Sequence, residues 1–254
     1  MFHIRKLLII TMALSLFACV PVSPEAKSKH LQAEIHYKLG LAYLQGDNPT
    51  LALKELLVAV EQDPENSSIQ VALAQTYQRK KAYPQAEKHY LKALELSDND
   101  PRYQNNLASL YLDLGEWDKA IQYFDQASQN LLFANAHVAL TGKGYAYFKK
   151  MDYPTALNYL NDAINLAPFY AAAYYFKSEV YQAMGDIDQE KFFLQTAIEL
   201  APQFTQARYQ LAVLLLREKS VDEAIEQLKA ILEYSPTSVL GYKAKGLLKT
   251  LPDS

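Results

Sequence analysis

Apolar, small and polar positions recur through residues 33–238 with a period close to 34. With Ala33 counted as position 1, a small residue falls at position 8 and Tyr or Leu at position 11. Ala or an equivalent follows at 20, a bulky apolar residue at 24, a second small residue at 27 and often Pro at 32. The first unit carries Gly40, Tyr43, Ala52, Leu56, Ala59 and Pro64; the second Ala74, Tyr77, Ala86, Tyr90 and Ala93; the third Ala108, Tyr111, Ala120, Phe124 and Ala127. The fourth has Gly144, Tyr147, Ala156, Leu160, Ala163 and Pro168. The fifth has Ser178, Tyr181, Leu194, Ala197 and Pro202, with Glu190 where Ala is usual. The sixth has Ala212, Leu215, Ala224, Leu228, Ile231 and Pro236. These spacings place the apolar residues on one face of each of two helices per unit, A and B. Small residues at 8, 20 and 27 let A approach B, and B the next A, while positions 11 and 24 fill the space between. The Pro cannot continue helix B and biases the residue before it away from helix. Gly115 and Gly185 stand at A–B turns, where a positive φ costs Gly little.

A period of 34 with these residues resembles the tetratricopeptide repeat. The resemblance implies an all-α superhelix (an α-solenoid) of about six helix-turn-helix units, at 33–66, 67–100, 101–136, 137–170, 171–204 and 205–238. Residues 239–254 then form a capping helix and tail: Leu240, Leu247, Leu248 and Leu251 cover the last repeat, and several Lys face water. The third and fourth repeats are two residues further apart than the period gives. The extra residues fall in 127–133, which lacks the closing Pro, and a lengthened loop is tolerated easily.

The first 18 residues have another pattern. Arg5 and Lys6 precede an uncharged, almost wholly apolar run from Leu7 to Phe17, too short for a membrane span and flanked like a signal peptide. Leu16-Phe17-Ala18-Cys19 resembles the bacterial lipoprotein signal, although Phe17 is bulkier than the residue usual there. That resemblance implies cleavage before Cys19 and lipid attachment at Cys19. Several acyl chains would anchor firmly, because each buried CH₂ contributes roughly 0.8 kcal/mol. The alternative is an ordinary secretory signal with an incidental Cys. Val20, where Asp would signal inner-membrane retention in many enteric lipoproteins, points to the outer membrane, with the chain facing the periplasm. Residues 19–32, Pro/Ser/Lys-rich and without apolar period, read as the lipidated Cys and a flexible tether. Cys19 is the only cysteine of the 254 residues, so no disulfide is available at an oxidising destination.

Loss of residues 1–18 would leave 23 basic against 28 acidic residues, a balance that argues against a nucleic-acid partner. The chain has 19 Tyr, more than position 11 explains. In tetratricopeptide arrays helix A positions 2, 5, 9 and 12 line the concave surface. Position 5 holds Tyr37, Val71, Asn105, Thr141, Tyr175 and Tyr209; position 9 holds Leu41, Gln75, Ser109, Tyr145, Glu179 and Val213. Leu44, Leu112, Phe148 and Leu216 occupy position 12. The expectation is an aromatic and aliphatic groove that captures an apolar peptide or helix; Tyr suits it by offering contact area and a polar tip with only two torsions to freeze. No Lys stands at position 5 or 9 of any repeat, so the groove lacks the residues that bracket a C-terminal carboxylate. His3, His30, His36, His89 and His137 form no metal-binding spacing, and no nucleophile motif or Walker spacing is present. The expectation is a non-enzyme with no cofactor, no metal and no small-molecule substrate.

Signal, tether, six repeats and cap together resemble the PilF/PilW/Tgl-like lipoproteins of type IV pilus biogenesis. The more specific parts of that likeness are Ala127-Ser128-Gln129-Asn130, Leu132-Phe133 and the pair Asn105-Asn106. The resemblance implies a pilotin on the outer membrane, binding the secretin subunit of the pilus channel and promoting its localisation and assembly. A general periplasmic scaffold that docks peptidoglycan enzymes or a protease would use the same anchor and fold.

Overall fold

The computed structural model describes residues 24–251. The signal, Cys19 and the final three residues lie outside the described residues. Thirteen helices and no strand occur among those described. Six A–B pairs follow in order: α1 (Pro24–Gln45) with α2 (Pro49–Gln62), α3 (Ser67–Arg79) with α4 (Tyr83–Leu96), α5 (Pro101–Leu114) with α6 (Trp117–Gln129), α7 (Ala136–Lys149) with α8 (Tyr153–Leu166), α9 (Ala171–Met184) with α10 (Ile187–Leu200), and α11 (Thr205–Arg217) with α12 (Val221–Tyr234). The last helix is α13 (Val239–Leu248). Each helix packs on its chain neighbours. Several A helices also reach the next A, as α1 does α3, α5 does α7, α7 does α9 and α11 does α13; no comparable approach joins B helices. The A helices therefore form the inner wall of the superhelix.

The repeat positions explain the packing. Ala52, Ala86, Ala120, Ala156 and Ala224 are fully buried at position 20, as are Ala59, Ala93, Ala127, Ala163, Ala197 and Ile231 at position 27. At position 8, a Cβ built on Gly40 would lie 2.5 Å from Cγ of Leu56, and one on Gly144 2.9 Å from Cγ of Leu160. Glycine there sets how closely A meets B. Glu190, the exception at position 20, is buried but satisfied: Gln182 Nε2 donates to it at 2.6 Å and Arg217 lies at 3.5 Å.

Two regularities stand beyond the repeat consensus. Position 11 stacks on position 23 in four repeats: Tyr77 on His89, Tyr111 on Tyr123, Tyr147 on Tyr159 and Tyr181 on Phe193, with centroids 5.4–5.6 Å apart. Position 15 is left-handed at every A–B turn, at Asp47, Lys81, Gly115, Met151, Gly185 and Lys219 (φ 53–78°). Only two of these six are the glycines that steric preference would select.

Part of the expected tether is helical. Helix α1 begins at Pro24, nine residues before the first repeat position, so 24–32 extend helix A. A Pro opening a helix loses no hydrogen bond, and the Glu25–Lys29 pair (3.0 Å, i,i+4) supports the exposed turn without an apolar stripe. The stretched junction is an ordered loop, residues 130–135. Asn130 Oδ1 accepts from Leu132 N at 2.9 Å, Phe133 is buried in the core of the second to fourth repeats, and Leu131 and Leu132 are 100% and 94% exposed.

Candidate peptide-binding groove

The inner wall has two basins of different chemistry. The first lies on α1, α3 and α5, a concave cavity of about 530 Å³. Leu41, Gln75, Asn106 and Ser109 of the expected groove line it, together with Gln78, Arg79 and Asp113. Gln78 ties its walls together: its amide nitrogen donates to Asp113 Oδ2 at 2.6 Å and its oxygen accepts from the buried Tyr90 hydroxyl at 2.9 Å. Arg79 is held by Leu44 O at 2.7 Å, at the end of α1. This basin offers amides and a carboxylate to a polar or backbone group.

The second basin is aromatic and lies on α7, α9 and α11. Tyr145 and Phe176 have ring centroids 4.8 Å apart, Tyr145 and Phe148 5.9 Å, Tyr175 and Phe176 5.4 Å, and Tyr175 and Phe204 5.0 Å. All five rings are half-buried. Glu179 sits among them. The Tyr175 hydroxyl donates to Glu179 Oε1 at 3.1 Å and Gln210 Nε2 donates to the same oxygen at 3.2 Å. Burial holds the Glu179 carboxyl above its ordinary range, opposed by those two donors and by the charge of Lys149. Burial also pushes the Tyr145 and Tyr175 phenols up, with Glu179 adding to both and Asp113 to Tyr145. Lys149 Nζ stands 5.7 Å from the Tyr145 ring centroid and 6.0 Å from that of Phe148.

Not every expected groove residue faces the groove. Val71 and Thr141 are buried; Val71 belongs to the core, and the Thr141 hydroxyl donates to His137 O of its own helix at 2.8 Å. Asn105 is half-buried, its Oδ1 enclosed without a hydrogen-bond partner. The reason is common to the three. Position 5 faces the next repeat, as Tyr175 against Phe204 at the cap of α11 shows, so a short side chain there is enclosed while a Tyr reaches past it. Tyr37 is long enough, half-buried against the first-repeat core beside a smaller hollow that includes Ser68 and Asp63. Tyr209 packs against the cluster formed with α13, and Lys243 Nζ lies 5.8 Å from its ring, so it belongs to the capped end. Val213 is half-buried on α11.

Phe176, Phe204, Gln210 and Asp113 were not among the expected groove residues. Asp113 was legible: positions 5, 9 and 13 are spaced by four and share a helix face. No described helix is long and apolar enough to cross a membrane, and no three described His, Cys, Asp or Glu residues come together as a metal site.

Three tetratricopeptide repeat models match the chain, over residues 65–132, 171–204 and 191–248. The Hsp70-Hsp90 organizing protein of Triticum aestivum is 24% identical over 229 residues, which is 63% of this chain and 39% of that protein. The type IV pilus assembly protein PilF of Pseudomonas aeruginosa is 29% identical over 136 residues, 51% of this chain and 54% of PilF. The matches thus span about two-fifths to one-half of these relatives. Among solved structures, PilW, a type IV pilus biogenesis factor, superposes with a TM-score of 0.69 at 18% identity, covering 84% of this chain and 98% of PilW. At that identity the likeness is one of fold.

Proposed function

This chain is a tetratricopeptide-repeat protein, and from that premise we propose that it is a pilotin: a lipoprotein anchored through Cys19 to the outer membrane, facing the periplasm. It binds the secretin subunit of the type IV pilus channel and promotes its localisation and multimer assembly. The observation that carries this reading is the aromatic basin. Tyr145, Phe148, Tyr175, Phe176 and Phe204 offer half-buried rings on the inner wall. Similarity to PilF supplies the biological setting. The mechanism is binding alone. The basin takes an apolar segment of the secretin subunit while the lipid at Cys19 carries the pair to the membrane.

The test is recovery of the lipidated protein from detergent-solubilised outer membrane with mass spectrometry of what accompanies it, beside a Tyr145→Ala/Tyr175→Ala variant. Secretin recovered with the wild type and lost with the variant supports the reading. Normal heat-resistant secretin multimers in a deletion strain refute it. The match to an Hsp70-Hsp90 organizing protein favours a second reading, a scaffold joining several partners; its mark is recovery of wall enzymes or a protease with no secretin.

A further inference from the structure

We propose that the aromatic basin selects a partner segment carrying one basic side chain, Lys or Arg, among apolar residues, and that Glu179 is the residue that reads its charge. The proposal rests on the groove-capture reading above and specifies its ligand.

Glu179 is a half-buried carboxylate with only neutral donors on it, and both reach the same oxygen: Tyr175 at 3.1 Å and Gln210 at 3.2 Å. Its second oxygen has no hydrogen-bond partner. Asn105 Oδ1 is the only enclosed, unpartnered side-chain atom among the described residues, so that second oxygen is not fully enclosed. A negative charge held in an aromatic wall has only two neutral donors and the more distant charge of Lys149 to offset its burial, and no ion pair. Asp113, of the neighbouring polar basin on α5, acts on Tyr145 with the same sign. The rings themselves favour a cation over their faces. One such cation is already in place. Lys149 Nζ stands within about 6 Å of Tyr145, Phe148 and Trp117, the distance at which a ring attracts an ammonium. Lys149 is exposed at the end of α7 and makes no ion pair with Glu179, so it can swing away. A Lys or Arg of the partner would bury its aliphatic stem against the rings and bring its charge to the free oxygen of Glu179. An acidic segment would meet Asp113 and Glu179 with like charge. This preference is the reverse of a carboxylate clamp.

The experiment pans a random heptapeptide phage library on the purified chain and on its Glu179→Gln variant, both first shown by circular dichroism to be folded. The wild type is expected to enrich peptides with one Lys or Arg between apolar residues, and the variant to enrich the apolar positions alone. A wild-type-selected peptide should bind about tenfold more weakly when its basic residue is replaced by norleucine, or when Glu179 is Gln. Lys149→Ala should tighten it several-fold, because the resident ammonium no longer competes. Apolar selection without a basic position, or the same basic selection on Glu179→Gln, overturns the proposal and leaves groove capture standing. No selection on either protein overturns both.

Discussion

A left-handed residue at position 15 of all six repeats, glycine in only two, locates a removable cost in this chain. A non-glycine residue at positive φ is strained by its Cβ against the backbone, by about 1–2 kcal/mol. Met151 and Lys219 are exposed, so little packing is lost with their side chains. Replacement by Gly removes the strain and adds back roughly 0.5–1 kcal/mol of unfolded-state entropy. Met151→Gly and Lys219→Gly are each expected to stabilise by about 0.5–1 kcal/mol in urea denaturation. A loss in both would mean that these turns are not left-handed. Glu179 gives a second prediction at this scale. Its folded-state carboxyl is raised by burial, against Tyr175, Gln210 and Lys149, so its contribution to stability is full below the ordinary carboxylate range and is lost as pH rises through the raised value. Glu179→Gln should therefore melt higher than wild type at pH 7, with the difference shrinking toward pH 4. A lower melting temperature at both pH values would contradict the burial argument. The burial of positions 8, 20, 24 and 27 was legible in the sequence because packing confines 8, 20 and 27 largely to small residues and 24 to bulky apolar ones. Val71 and Thr141 misled because a repeat position gives a direction and not a reach.

The junction between the third and fourth repeats separates what the fold needs from what the sequence merely carries. The break in period announced a longer loop at 127–133, and the loop lies at 130–135. It is pinned by Phe133, which is 8% exposed, while the adjoining Leu131 and Leu132 stand in solvent. Burial of an aromatic side chain is worth several kcal/mol and exposed leucines contribute almost nothing to the folded state. Phe133→Ala is expected to cost about 3 kcal/mol, whereas Leu131→Ser/Leu132→Ser stays within about 0.5 kcal/mol. Thermal melts of both variants decide it; a large loss from the double Ser variant would show that the leucines pack. Helix α1 was less legible for a related reason. Its first turns carry no apolar period: Glu25 and residues 28–32 are exposed, and the extension is held by backbone bonds, the Glu25–Lys29 pair and the contact of His30 with Asp63 at 3.2 Å. Patterns report burial, and an element that buries nothing leaves no pattern.

Across the whole molecule, each repeat touches only its neighbours, so stability is close to a sum of units and interfaces. Damage in such an array stays local. The cap offers the clearest case. Helix α13 sets its own Ala244 against Ala212, Leu228 and Ile231 in a cluster with Tyr209, Leu232, Leu240 and Leu247. Gly241 lets it seat: a Cβ there would lie 2.3 Å from Ser235 O. Removal of residues 239–254 would uncover the apolar face of α11 and α12 and leave every interface from α1 to α10 intact. The aromatic basin would keep Tyr145, Tyr175 and Glu179 on α7 and α9, and would lose firm support from Phe204 and Gln210 at α11. Hydrogen exchange is expected to accelerate throughout α11 and α12 of the truncated chain and to remain unchanged in α3 to α8. Self-association should increase through the exposed face. Uniform acceleration along the chain would show a single cooperative unit, and the basin could then not be treated as separable from its cap. Local acceleration would show that α7 and α9 hold their structure independently of the capped end, which is the condition under which binding variants at Glu179 and Lys149 report recognition and not folding.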